Sequence, residues 1–246
     1  MQNRLKTRLS HYLLLGFVFG IVSLTTSLSH AGLLSSGFTA TYEVTHKSIY
    51  LGDAVQRFKK MPNGNWEYRS DIKAKGIVSL FIKDTVYEVS EIKKTSDGYR
   101  PLSYRYHQHG GKKEKTHNLI FDWTKGQIDN DYTNKQYPLK AGTHDLLSFQ
   151  IQLMFDLQNN KKSVAYIIAD KKRVETYTLK VVKKVSIETP FKTLDALEMI
   201  SNKIRDKMQF TIWSSPELNY FPVRIVKVDD DGDTTELILK SITFAK

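Results

Sequence analysis

Alternation of apolar and polar residues with a period of two runs through this chain from residue 38 onward, and it constrains the fold more than any other feature. Phe38, Ala40, Tyr42 and Val44 alternate with Thr39, Thr41, Glu43 and Thr45. Tyr177, Leu179, Val181, Val185 and Ile187 take odd positions against Thr176, Thr178, Lys180, Lys184 and Ser186. Successive side chains of a strand point to opposite faces, so such a pattern buries one face and wets the other. That is the habit of antiparallel sheets, whereas parallel sheets are covered on both sides. Turn signals divide the pattern at hairpin spacing: Pro62-Asn63-Gly64-Asn65, Ser96-Asp97-Gly98, Gly110-Gly111, Lys125-Gly126 and Asp231-Gly232. Asn-Gly and Asp-Gly supply the positive φ angles that tight hairpins need. The pattern predicts about twelve strands joined by short, meander-like connections.

One segment departs from it. Over residues 145–159 the apolar positions are 146, 147, 149, 151, 153, 154 and 157, closer to helical spacing than to alternation. The spacing predicts one amphipathic helix, preceded by a loop over 131–144, capped by Asp145 and ended by Asn159-Asn160. Residues 76–83 form a shorter stretch that reads either as a helical turn or as a buried strand start. Without repeats or low-complexity linkers, residues 32–246 read as a single β-rich domain. So many strands do not stay flat. The expected fold is mainly β, an antiparallel curled sheet forming a barrel or half-barrel, with the amphipathic helix packed on its concave side. A concave apolar face larger than one helix can fill leaves a cavity, and such cavities hold small apolar ligands. Phe149 and Leu153 on the helix, with Trp123 and Trp213 on the sheet, are the ligand-lining candidates. Phe38, Tyr42, Phe81, Tyr87, Phe121 and Phe210 join them on strand positions read as inward, where aromatics more often build core than cofactor sites.

The first residues carry an address. Arg4, Lys6 and Arg8 precede an apolar and Gly run over 12–22, and Ser29-His30-Ala31 places small residues where a signal peptidase inspects the chain. The run ends well short of the ~20 apolar residues a spanning helix needs. A signal peptide over 1–31, cleaved after Ala31, is therefore expected, followed by a mature chain that is soluble and spans no membrane. The absence of cysteine then excludes disulfides, thiolate chemistry and an acceptor for the lipid of bacterial lipoproteins. The formal charge is +11, or 11 − 3 = +8 once Arg4, Lys6 and Arg8 leave with the leader, and it belongs to scattered Lys and Arg residues. After export it implies a solvated face or attraction to an anionic membrane surface rather than a nucleic-acid partner.

Motifs that carry chemistry are few. His107-x-His109 places two imidazoles on one strand face but has no third ligand nearby in sequence, so it reads as a surface turn. Asp229-Asp230-Asp231-Gly232-Asp233 has Thr234 where a calcium loop needs Gly, and Lys240 where it needs Glu; it reads as an acidic hairpin tip. No nucleophile elbow, phosphate loop or defensible carboxylate pair is present, so neither catalytic residues nor a metal or cofactor is expected.

Several landmarks together resemble a known family. They are Phe38-Thr39-Ala40-Thr41-Tyr42-Glu43-Val44, the stretch from Gly98 through Arg100-Pro101-Leu102-Ser103 to Tyr106, Phe121-Asp122-Trp123, Asp145-Leu146-Leu147-Ser148, and Ile212-Trp213 followed by Phe221-Pro222-Val223-Arg224-Ile225. In order and spacing they are similar to the bacterial domain-of-unknown-function family 3108, over about residues 37–244. The resemblance implies an exported envelope protein of antiparallel β architecture in a Gram-negative periplasm, with no catalytic residue to carry over. A more distant architectural likeness is to lipoprotein carriers of the Lol type, half-barrels closed by helices, although those have more helical cover than this chain. Among the shared positions, Asp145 fits a helix N-cap and Pro222 a strand start or edge. Arg224 is placed to stack on Trp213 or to pair with a carboxylate. The expected function is binding of an apolar or lipid-like ligand within the curled sheet, for envelope maintenance or transport. The alternative is an envelope module that docks a protein partner without a small ligand.

Overall fold

The computed structural model describes residues 33–75, 85–110, 114–201, 209–229 and 231–245. After a single turn of helix, α1 (Leu33–Ser36), the first eight strands are β1 (Phe38–His46), β2 (Ile49–Lys60), β3 (Trp66–Ala74), β4 (Thr85–Thr95), β5 (Gly98–His109), β6 (Lys115–Asp122), β7 (Gln127–Asn130) and β8 (Lys135–Pro138). Then come β9 (Thr143–His144), helix α2 (Ser148–Gln158), β10 (Ser163–Ala169), β11 (Val174–Ile187), β12 (Leu194–Ser201), β13 (Gln209–Ser215), β14 (Phe221–Val228) and β15 (Thr234–Phe244). All fifteen strands belong to one sheet, ordered β8 down to β1 and then β15 down to β9.

This order fixes the shape. Neighbouring strands are antiparallel throughout, save for β9, which runs parallel to β10; β1 and β15, the first and last strands, pair in the middle of the sheet. The edges are β8 and β9, yet these follow one another in sequence across residues 139–142. A flat sheet of this width would part its edges by about 65 Å at ~4.8 Å per strand. The link reaches about 18 Å at full stretch. The sheet therefore curls round until its edges approach, leaving a seam instead of a closed β8–β9 ladder. Side chains bridge part of that seam: Asn130 Nδ2 donates to the Lys171 carbonyl at 3.1 Å, and the Lys171 ammonium sits 4.1 Å from the centre of the Tyr132 ring.

The interior is filled by α2. Leu147, Ile151 and Met154 join the core built on β1–β8, with Phe38, Phe58, Tyr68, Tyr99 and Ile128. Phe149, Leu153 and Leu157, on the opposite side of the helix, join Tyr166, Tyr177, Met199, Phe210 and Ile212 from the other half. An amphipathic helix was expected; this one is buried on every side, because two apolar stripes meet two walls of the same barrel. Its polar residues are matched rather than solvated. Gln152 Oε1 accepts from the Tyr99 amide at 2.7 Å and its Nε2 donates to Asp156, which also accepts from Tyr166 Oη at 2.8 Å and Lys161 Nζ at 2.7 Å. Gly98 makes the close approach of β5 possible, since a Cβ there would fall 2.2 Å from the Gln152 side chain.

Three expectations need correction. About twelve strands become fifteen among the described residues, because β8 and β9 lie inside the segment read as a loop and are too short to show a period. Tyr87 points to the outer face, where it meets His107 and the Arg69 guanidinium. Trp213 also lies outward, opposite to Phe210 and Ile212. The signal segment, residues 76–83 and Phe81 lie outside the described residues.

Candidate functional site

Inward positions carry apolar side chains along most of the barrel but not at the end that bears the β10–β11 turn. Counting back along β4 from buried Ile92, the inward positions are Ser90, Glu88 and Val86. Across the ladder Glu88 faces Tyr106 on β5, and Tyr106 faces His117 on β6. From the opposite wall Lys227 on β14 enters beside Phe210, its partner on β13. These side chains, with Tyr104, Asp170 and the floor residue Leu146, line a cavity of about 460 Å³. Lys115, Lys171, Lys172 and Arg173 stand round it, as does Asp229, which pairs with Lys227 at 3.0 Å.

The electrostatics of this cavity are unusual for a barrel interior. Glu88 is half-buried and lines the cavity. Its Oε1 accepts from Tyr104 Oη at 2.6 Å. Burial pushes the Glu88 carboxyl above its usual range, and the Tyr104 hydrogen bond offsets only part of that; Asp170 and Asp145 push it up further. Burial holds the His117 imidazole below its ordinary value, so it stays neutral near pH 7. His117 is 3 % exposed and stacks on Tyr106 at 5.0 Å, yet neither ring nitrogen has a hydrogen-bond partner among the described residues. Buried polar atoms are nearly always paired, so the His117 ring, enclosed beside the cavity, is an exception to that rule. The arrangement offers proton donors and acceptors at the base, an aromatic wall, and cations round the opening.

The residues singled out in the sequence fall elsewhere. Phe149 and Leu153 are core residues, packed against Tyr166 and Phe210, and an acyl chain would have to displace them. Trp123 sits in the β6–β7 turn at the opposite end, its Nε1 donating to the Pro101 carbonyl at 2.7 Å, and borders a different cavity. Trp213, outside, carries the Arg224 guanidinium 4.8 Å above its ring, and Arg224 pairs with Glu236 at 2.5 Å. Asp145 Oδ1 accepts from the amides of Leu147 and Ser148, both at 2.8 Å, and Ser148 Oγ accepts from the Asp145 amide, closing the start of α2. Pro222 lies at the start of β14, before the ladder to β15 begins at Arg224, so its missing donor costs no bond there. His107 Nδ1 is 2.5 Å from Tyr87 Oη, and no group of three metal-ligating side chains occurs among the described residues.

Sequence reasoning passed over Glu88, Tyr104, His117 and Lys227. In β4 the larger apolar residues, Tyr87 and Val89, occupy the outward parity and disguise the inward one. The available signal was Trp66, Tyr68 and Ile72 on β3, whose partners across the ladder are Ile92, Ser90 and Val86. That pairing places Glu88 inside.

Fold and cavity together define a helix-filled, barrel-like β protein with a polar pocket at one end. Residues 41–239 match the protein family of unknown function DUF3108, and the chain belongs to that family. The crystal structure of a barrel-like protein of a second family of unknown function, DUF1849 from Brucella abortus, has the same fold at 13 % identity. Its TM-score is 0.56, and the match covers 86 % of this chain and 98 % of that one. A candidate lipoprotein from Parabacteroides distasonis aligns over 85 % of this chain and 96 % of its own, at 14 % identity and a TM-score of 0.33. None of the curated proteins matches the chain.

Proposed function

We propose that this protein is an exported, periplasmic binding protein that holds a small acidic sugar in the cavity at Glu88 and His117, in the service of envelope upkeep. The periplasmic location is supported by the leader-like residues 1–31. The ligand reading rests above all on a cavity of ligand size whose lining gathers Glu88, Tyr106 and His117 with Lys115, Lys171 and Lys227 at one end of an otherwise apolar interior. Tyr106, backed by the stacked His117, offers an aromatic surface to a sugar ring, while the Glu88 carboxyl exchanges hydrogen bonds with hydroxyl groups. Lys115, Lys171, Arg173 and Lys227 attract an acidic substituent. An apolar or lipid-like ligand is less well served, because Phe149 and Leu153 are covered by the protein's own side chains.

The test is calorimetric titration of the purified protein with glucuronate, glucose 6-phosphate and glucose. Saturable binding of the acidic sugars, weaker for glucose and lost in His117→Phe and Lys227→Met, supports the reading. No saturable binding, or equal binding by the variants, overturns it. Native mass spectrometry showing bound acyl species would return the site to the apolar interior. One observation favours a second reading, acid–base chemistry on the bound molecule. Glu88 and His117 line one cavity on either side of Tyr106, the carboxyl held above its ordinary range and the imidazole below its own by burial. Release of product from a bound glycoside, abolished in Glu88→Gln, would distinguish an enzyme from a carrier.

A further inference from the structure

The inward rows of β5 and β6 climb out of the core towards the mouth of the Glu88 cavity. On β5, Tyr104 is buried, while Tyr106 and Gln108 are half-buried; on β6, Leu119 and His117 are buried and Lys115 is exposed. From Tyr104 to Gln108 the wall runs four residues, about 14 Å along the strand at ~3.4 Å per residue. That exceeds the length of one sugar ring and approaches that of two. The volume of about 460 Å³ agrees, since pockets of roughly 300–1,000 Å³ take drug-sized ligands. The cations, too, outnumber what one acidic group needs. Lys227 is committed to Asp229, and Lys171 lies over the Tyr132 ring. Lys115 and Lys172 also line the cavity, are exposed, and have no ion-pair partner among the described residues. The acids beside them are engaged: Asp170 Oδ1 accepts from the Lys171 amide at 2.5 Å, and Glu88 accepts from Tyr104. The Asp170 amide donates to the Arg173 carbonyl at 2.9 Å and closes the β10–β11 turn, with Lys171 and Lys172 as its central residues.

We infer that the acidic sugar bound here is the end unit of an anionic polysaccharide, its first ring against Tyr106 and its second passing Lys115 and Lys172 as the chain leaves the mouth. The inference rests on the binding reading proposed above and adds the substrate class. One uronate brings a single charge, and two uncommitted ammonium groups at the mouth call for more. A second charge on the same chain engages them as an intramolecular partner once the first ring is seated. Leu146 floors the cavity, so the chain enters by its end instead of lying across. Cations set round a cavity, not spread over a flat face, suit a chain end better than a membrane surface.

Calorimetric titration of the purified protein tests it, with glucuronate, glucuronate chains of two and four β-linked units, and cellotetraose as the neutral chain. Two units are expected to bind at least tenfold more tightly than one, and four units within threefold of two. Cellotetraose is expected to bind at least tenfold more weakly than the acidic chain of its length. In the double variant Lys115→Met with Lys172→Met, whose replaced side chains are exposed, the gain from one unit to two is expected to fall below threefold. Saturable binding of glucuronate or glucose 6-phosphate, with no gain from a second glucuronate unit, overturns the inference and leaves the proposed site standing. A gain that persists in the double variant, or that cellotetraose reproduces, overturns it as well. No saturable binding by any of these probes overturns both readings.

Discussion

The middle of the barrel and its β10–β11 end are built by the same strands with the same alternation, yet they spend their inward positions differently. Round α2 the inward residues are Phe58, Tyr68, Ile128, Tyr166 and Ile212, and the polar groups among them, such as Gln152 and Asp156, have partners. Farther along the same strands, the inward residues are Glu88, His117 and Lys227, and the His117 ring nitrogens have no hydrogen-bond partner among the described residues. Stability explains the first region. It does not explain the second, because a desolvated carboxyl and an unpaired imidazole both cost free energy in the folded state. The contrast is what supports the binding role proposed for the polar end.

The largest effect tests the middle. Leu153→Ala should cost about 2–5 kcal/mol, because Leu153 is fully buried between the helix and the wall and its neighbours cannot close the gap. Chemical denaturation measures it, and a loss within error would mean that the helix does not plug the barrel. Next is His144, at the other end of the strand set. Its folded pKa of about 4 lies below the ordinary 6.5. As pH falls through that window the unfolded chain takes up the proton first, so stability drops by about 3 kcal/mol between pH 7 and pH 4. In His144→Phe this share of the acid sensitivity should disappear; denaturation curves that keep the wild-type slope would refute the burial.

Glu88 should act with the opposite sign. Its folded pKa is raised above the ordinary 4.5, so its contribution is most favourable below that value and is lost as pH rises through the folded one. Glu88→Gln, which keeps a partner for Tyr104, should therefore be more stable than the wild type at pH 7 and equal to it near pH 4. A variant less stable at pH 7 would show that Glu88 is a structural residue and would erase the contrast between the two regions. The smallest effect lies outside the barrel. A double-mutant cycle on Trp213 and Arg224 should return about 0.5–1 kcal/mol of coupling, the worth of a half-exposed cation–aromatic pair.

Much of the fold was legible because period-two alternation is a local property. The buried row Phe38, Ala40, Tyr42 and Val44 in β1 stands where the pattern put it, and Asn160, just past the end of α2, adopts the left-handed φ of 60° that helix-ending Asn residues favour. Parity was misread where the local pattern gave two answers. In β4, Tyr87 and Val89 outweigh Val86, Glu88 and Ser90 in hydrophobicity, and pairing with β3 alone decides which row turns inward. The cavity at Glu88 was illegible for a second reason. Its residues come from β4, β5, β6 and β14 and from the β10–β11 turn, and no spacing along the chain announces that these meet.

The amino-acid order alone settled that this chain makes antiparallel strands, a helix after Asp145 and no cysteine chemistry, since each follows from near-neighbour periodicity or composition. Where the edges of the curled sheet approach each other, that the helix is wrapped on every side, and which polar residues share a pocket were decided only in three dimensions. Curling the sheet brings its edges β8 and β9 within reach of one four-residue link, residues 139–142. That closure, a long-range geometric fact, turns inward side chains from distant strands into neighbours.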